Sequence, residues 1–253
     1  IDHVGNHNLA ASESLAAIGV APEKIIPWDW PRSPTPADYP PKQAPVTRPK
    51  TLICVGTVSE AKGVGDIVRA LAIAPRMGDG AILKVVGDGN IDGIRKLSLS
   101  LGVAERVSFT GRIPHVDVTP AMHAADAVLV YSRHEYGEGL PGTIYLGLAS
   151  RTPLVVSDHP MFTTYFRDGT DVIFAPERDP EMLATRLSGL FKDTDLYERL
   201  SRNSEVAFER IVHPVLWGEF VERWMRNTSE DKAWLEAQAL SRWRDTDQKR
   251  NTV

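Results

Sequence analysis

The 253-residue sequence has one cysteine, Cys54, so it carries no disulfide framework and suits a reducing compartment. No apolar run approaches the ~20 residues of a membrane helix, and no charged-then-apolar leader follows Ile1. Basic charge is not in excess. The 29 Lys and Arg stand against 33 Asp and Glu, a formal net charge of -4 that excludes a strongly basic nucleic-acid binder. No histidine pair or Cys/His cluster has metal spacing; His3 and His7 are four apart, but at an end expected to fray. A Gly-x-Ser-x-Gly elbow, a three-glycine dinucleotide fingerprint and a Walker loop closed by Lys-Ser/Thr are all missing. No internal repeat at solenoid spacing is visible.

What is present is enough apolar matter for a core: 42% hydrophobic against 25% charged residues. From Pro27 to Pro49 the prolines at 27, 31, 34, 36, 40, 41, 45 and 49 remove donors and forbid helix, giving a linker or a wrapping extended segment. Before it, Asn8 or Ser12 caps a helix through Leu9, Leu15 and Ile18, and Ile25–Ile26 make a short strand. These first 29 residues are too few to bury a core and read as the tail of a preceding domain.

After the prolines the pattern becomes regular. Apolar runs at Thr51–Val55, Ala81–Val86, Val107–Phe109, Ala127–Tyr131, Pro153–Ser157 and Val172–Phe174 do not alternate, so both faces of each strand are buried. Helical spacing falls between them, at Val64–Ile73, Ile91–Leu101, Val116–Ala125, Pro141–Ser150 and Asp179–Lys192. Strands alternating with helices predict a doubly wound α/β domain with a parallel, Rossmann-like sheet. The expected division is 1–29 tail, 30–49 Pro-rich linker, 50–212 α/β domain and 213–253 C-terminal helices. In the last segment Trp217, Phe220, Val221 and Trp224 share one helix face, which must pack on the α/β domain or on a neighbouring domain.

Parallel sheets bind ligands at the carboxyl ends of their strands, so the following loops are the candidates. After the first strand comes Gly56-Thr57 with Lys62-Gly63, where backbone can approach a ligand and an ammonium can neutralise phosphate. Gly87-Asp88-Gly89 follows the second strand and reads as a turn. The loop from Ser132 to Thr143 carries His134, Glu135, Glu138, Gly139 and Gly142 ahead of a helix with Pro141 at its start. Amides opening that helix at Gly142 and Thr143 suit an anion, and Glu138 beside them suits sugar hydroxyls. Asp245-Thr-Asp247 matches an acid-x-acid metal pattern but lies in the polar tail, and reads as coincidence. Cys54 lies in an apolar strand and reads as inert core.

Five stretches in one order resemble the C-terminal, donor-binding domain of retaining GT-B glycosyltransferases of family 4, the group 1 transferases. They are VGTVSEAKGVGDIVRAL (55–71), LKVVGDG (83–89), VSFTGRIP (107–114), ADAVLVYSRHEYGEGLPGTIYLGLASRTPLVVSDHP (125–160) and DGTDVIFAPERDPEMLATRL (168–187). The segment from Asn6 to Trp28 is similar to the end of the family's first domain, and 214–225 to its closing helix, which returns toward that domain. The resemblance implies a nucleotide-diphosphate sugar as donor, no resident metal or other cofactor, and an acceptor domain preceding this one. It implies Lys62 and the Gly142–Thr143 amides on the diphosphate and Glu138 on the sugar. A cytoplasmic setting follows, with a membrane-peripheral site or lipid-linked acceptor also compatible. The chain alone is expected to transfer no sugar.

Two positions depart from the family pattern. Thr57 stands where an arginine is usual, and Leu146 where a glutamate commonly holds the ribose. Each lost charged contact is worth on the order of 1.5–3 kcal/mol; Arg112, His134 and Glu135 are the candidates to compensate. These departures leave open a non-catalytic nucleotide-sugar-binding or interaction domain, and a sugar-nucleotide epimerase of the same fold.

Overall fold

Six short strands dominate the architecture: β3 (Lys50–Val55), β4 (Ala81–Val86), β5 (Val107–Gly111), β6 (Ala127–Val130), β7 (Leu154–Ser157) and β8 (Ile173–Ala175). The structure is a computed structural model that describes residues 3–46, 49–73, 81–137 and 139–243. All six strands run parallel, in the order β5-β4-β3-β6-β7-β8. This is the doubly wound order: the chain builds outward from β3, then restarts on its other side at β6.

The runs read as strands buried on both faces are so at β6 and β7. The edge strand β5 instead alternates half-buried and exposed residues, because an edge strand is covered less completely, and Ile82 of β4 is exposed. Leu52, Cys54, Leu83, Val85, Leu129 and Val155 project from one face of the sheet into a single core. There they meet Ile67, Val68 and Leu71 of α2 (Val64–Ile73), Ile94 of α3 (Ile91–Ser100) and Leu183 and Leu187 of α7 (Pro180–Lys192). The alternate residues Ile53, Val128 and Val156 are fully buried on the opposite face, the side of α4 (His115–Ala124) and α5 (Gly142–Ala149), which pack on each other. A four-residue α6 (Pro160–Thr163) follows β7, and α8 (Thr194–Ile211) follows α7.

The chain divides into two units, 34–210 and 1–33 with 211–253. The boundary falls inside the stretch read as a linker or a wrapping segment over 30–49, and from Pro34 onward the segment belongs to the larger unit. The cause is polar. The Lys42 ammonium donates to the carbonyls of His123, at 2.7 Å, and of Ala125. Lys42 N–H donates to Ser201 Oγ at 2.6 Å, and Arg151 Nε donates to Pro36 O at 2.8 Å. Proline removed this segment's own donors, and side chains supplied others.

The smaller unit pairs β1 (Val4–His7) in parallel with β2 (Ile25–Trp28), across α1 (Leu9–Ala17), which Asn8 caps by accepting from Ala11 N–H at 3.0 Å. Its apolar cluster joins Ile26 to Val215, Phe220 of α9 (Trp217–Arg226), Leu235 of α10 (Ser229–Ala237) and Ala239. The aromatic face of α9 therefore packs on the N-terminal segment, while Trp224 stays 54% exposed. His7, expected to fray, lies in β1 and meets Asp29 Oδ1 at 3.2 Å. Asp29 is fully buried and also accepts from Arg32 and from Trp30 N–H at 2.8 Å. Burial pushes its pKa up, but His7 and Arg32 outweigh that and hold the carboxyl below its ordinary value.

Two predictions follow from backbone and burial. Gly63 has φ 67°, and a Cβ there would collide with the Tyr131 carbonyl. Gly63→Ala is expected to lower unfolding free energy by about 2–4 kcal/mol in urea denaturation. His213 is buried, its pKa lowered to about 4 by desolvation. The unfolded histidine takes up a proton near pH 6.5 and the folded one does not. Stability is therefore unaffected by this group above pH ~6.5 and falls as pH drops from there toward 4. His213→Asn should flatten that slope in thermal melts across this window.

Candidate functional site

The strand order reverses between β3 and β6, and a cleft opens at their carboxyl ends. Its floor is Cys54 and Val55 of β3, Val85 and Val86 of β4, and Leu129 and Val130 of β6. Its walls are Gly56, Thr57, Lys62, Tyr131, Ser132 and Thr143. The topology thus brings four residues picked from sequence — Gly56, Thr57, Lys62 and Thr143 — around one space.

Close backbone packing shapes the walls. Gly56 N–H donates to Val86 O at 2.9 Å, Val58 N–H to Asp88 O at 2.7 Å, and Gly87 N–H to Gly111 O at 2.9 Å. Gly87 has φ 135°, and a Cβ there would strike the Gly56 carbonyl. Gly87 thus lets consecutive loops lie backbone to backbone, while Gly56 and Gly111 supply the positive φ that their turns require.

Lys62 is half-buried. Its ammonium sits 4.1 Å from the centroid of the Tyr136 ring, and its N–H donates to Ser59 Oγ at 3.2 Å. On the far wall, Pro141 precedes α5 with extended φ and ψ of -74° and 148°, and Gly142 and Thr143 form the first turn. The first N–H groups of a helix have no intrahelical acceptor, and the helix dipole adds positive potential there. An ammonium and a helix start on one cleft are the two features that suit an anion.

The other candidates are spent on local partners. His134 N–H donates to Glu177, and His134 Nε2 meets Asp158 Oδ1 at 3.0 Å. Glu135 pairs with Arg178 at 2.7 Å; a backbone hydrogen bond, and after it Arg178, hold its carboxyl below the ordinary value. Arg112 is exposed and pairs with Asp88 at 2.7 Å. None of these three lines the cleft. Gly139 and Gly142 are exposed. Leu146 is half-buried on α5. Glu138 lies outside the described residues, as do Asp245 and Asp247. Among the described residues no group of three or more His, Cys, Asp or Glu is arranged to hold a metal ion.

Sequence reading missed Tyr131 and Tyr136. Tyr131 is buried, and its hydroxyl donates to Pro176 O. Burial first, and then the carboxylates of Asp66, Asp179 and Asp158, keep that hydroxyl protonated. Both tyrosines lie within the stretch 125–160, but only the fold shows that one packs on Gly63 and the other beneath Lys62.

Comparison with known proteins gives the family and the fold. The family model for glycosyl transferases group 1 matches residues 37–206, and the chain belongs to that family. An alpha-D-kanosaminyltransferase of Streptomyces kanamyceticus is 30% identical over 155 residues, covering 60% of this chain and 39% of that protein. A GDP-mannose-dependent mannosyltransferase of Mycobacterium tuberculosis, acting on a phosphatidylinositol monomannoside, is 36% identical over 91 residues, 36% of this chain and 23% of its own. The chain thus spans about two fifths or less of these relatives. Among solved structures, Anabaena HepE in complex with UDP-glucose superposes with a TM-score of 0.67 at 18% identity, over 83% of this chain and 60% of its own. The C-terminal domain of a group 1 family protein from Francisella tularensis gives 0.56 at 17%, over 71% of this chain and 93% of its own. At these identities the likeness is one of fold.

The cleft floor supplies a direct check. Cys54 is 6% exposed, and desolvation pushes its thiol up to about 12. Native protein at pH 8 should resist a disulfide-exchange reagent that labels Cys54 promptly in denaturant; prompt native labelling would mean an open floor.

Proposed function

We propose that this chain is the donor-binding part of a retaining glycosyltransferase that takes a nucleotide-diphosphate sugar and needs no resident metal. The observation that carries the reading is the convergence of Lys62 and the first turn of α5 on one cleft, at the reversal of strand order. Breaking the bond between the anomeric carbon and the diphosphate leaves negative charge on the departing oxygen. An ammonium and aligned amides are suited to stabilise that charge in place of a cation. Glu138 is the group we assign to the sugar. The acceptor, lipid-linked or otherwise, and the residues that hold it are assigned to a further domain.

Thr57 and Leu146 favour a second reading, binding without transfer. Thr57 is exposed at the rim and carries no charge, and Leu146 cannot accept a hydrogen bond from ribose.

Calorimetric titration separates these cases. UDP-glucose and GDP-mannose are the first probes, since similar proteins are described with those donors. Binding of one of them by the wild-type chain is expected, unchanged by EDTA. Lys62→Met should weaken it about tenfold or more while leaving nucleoside binding alone. Thr57→Arg should tighten it. Silence toward every nucleotide sugar would remove the reading; binding without transfer by the full-length enzyme would establish the second.

A further inference from the structure

We infer that Arg133 is a positioning residue that locks the Lys62 loop to the loop leading into α5, so that both halves of the diphosphate site move as one piece. This rests on the donor-binding reading above. Arg133 follows β6 by three residues, in the loop that lies directly against the Lys62 loop, and both its backbone and its side chain bond to that loop. Nε donates to Asp66 Oδ2 at 2.9 Å, and Nη2 donates to Asp66 Oδ1 at 3.1 Å, a two-pronged grip on the first turn of α2. Nη2 also donates to Glu60 Oε2 at 2.8 Å, and the Arg133 N–H donates to Ala61 O at 2.8 Å. Lys62 is the next residue. Arg133 thus holds the chain on both sides of Lys62, at 60–61 and at 66.

The same arginine starts the turn that carries the ring under the lysine. Tyr136 N–H donates to Arg133 O at 3.0 Å, and that ring lies 4.1 Å from the Lys62 ammonium. The contact surfaces suit a permanent clamp. The Asp66 and Arg133 side chains are 4% and 15% exposed, so the pair is shielded from solvent. Lysine could not replace it, because one ammonium cannot fork to two carboxylates in fixed geometry. Asp66 keeps a second partner, Arg69 at 3.0 Å, so removing Arg133 does not strand a buried carboxylate.

The test is a double-mutant cycle. Wild type, Arg133→Ala, Lys62→Met and the double variant are titrated with UDP, GDP, their nucleosides and inorganic pyrophosphate, and melted in parallel. Arg133→Ala is expected to weaken the diphosphate about tenfold and the nucleoside not at all. Lys62→Met should then cost clearly less in the Arg133→Ala background than in wild type, because a lysine that is no longer aimed has little left to lose. Arg133→Lys should keep native stability and recover only part of the affinity, and it carries the comparison if the alanine variant fails to fold. Wild-type affinity in Arg133→Ala, equal losses for nucleoside and diphosphate, or strictly additive losses would each overturn the clamp. A wild-type chain that binds none of the probes overturns the function reading itself, and the clamp's purpose with it.

Discussion

Backbone packed directly on backbone is the constraint on which this site depends. The loop after β3 lies against the loop after β4 through Gly87, and against the end of β6 through Gly63, with no side chain between them. A methyl group at either position would push the loops apart. At the strand-order reversal beside them, Lys62 and Thr143 of α5 line one cleft. The rest of the geometry follows from two apolar strands, β3 and β6, laid side by side although 71 residues separate Val55 from Ala127.

That separation explains what the sequence revealed and what it hid. The parallel sheet was legible because strands covered on both faces must be apolar throughout, and runs such as AVLV and LVVS have few alternatives. β1 was not legible: Val-Gly-Asn-His has one clear strand former, and the strand is only half-buried. The proline-rich stretch read as either a linker or a wrapping extended segment, because composition reports missing donors and says nothing of acceptors elsewhere on the fold. His123, which accepts from Lys42, and Arg151, which donates to Pro36, lie 81 and 115 residues further along the chain. Gly56, Lys62 and Thr143 were found because each sits just past a strand or at a helix start. The partners of Arg133 lie 67 and 73 residues back in the chain, and no local pattern points to them.

Charge at the site is more sparing than the sequence suggested. Arg112, His134 and Glu135 had been candidates to replace contacts missing at Thr57 and Leu146, yet each is held in a local ion pair away from the cleft. These pairs are exposed, and each contributes little to stability. Their effect is on availability: a side chain held by a neighbour is not aimed at a ligand. Among the described residues lining the cleft, Lys62 is the positively charged one. Electrostatic stabilisation of an anion here therefore leans on fixed amide dipoles, which need no reorganisation when charge arrives.

The strap pinned by Lys42 bears on how the α/β unit is to be cut out for study. A truncation starting at the first strand, near Lys50, looks natural from the sequence. It would remove the ammonium that caps the carbonyls of His123 and Ala125, the donor to Ser201 and the acceptor of Arg151. Several polar groups beneath the strap would then face solvent or find nothing. An excised unit should begin ahead of Pro34, so that the strap travels with the sheet it fastens.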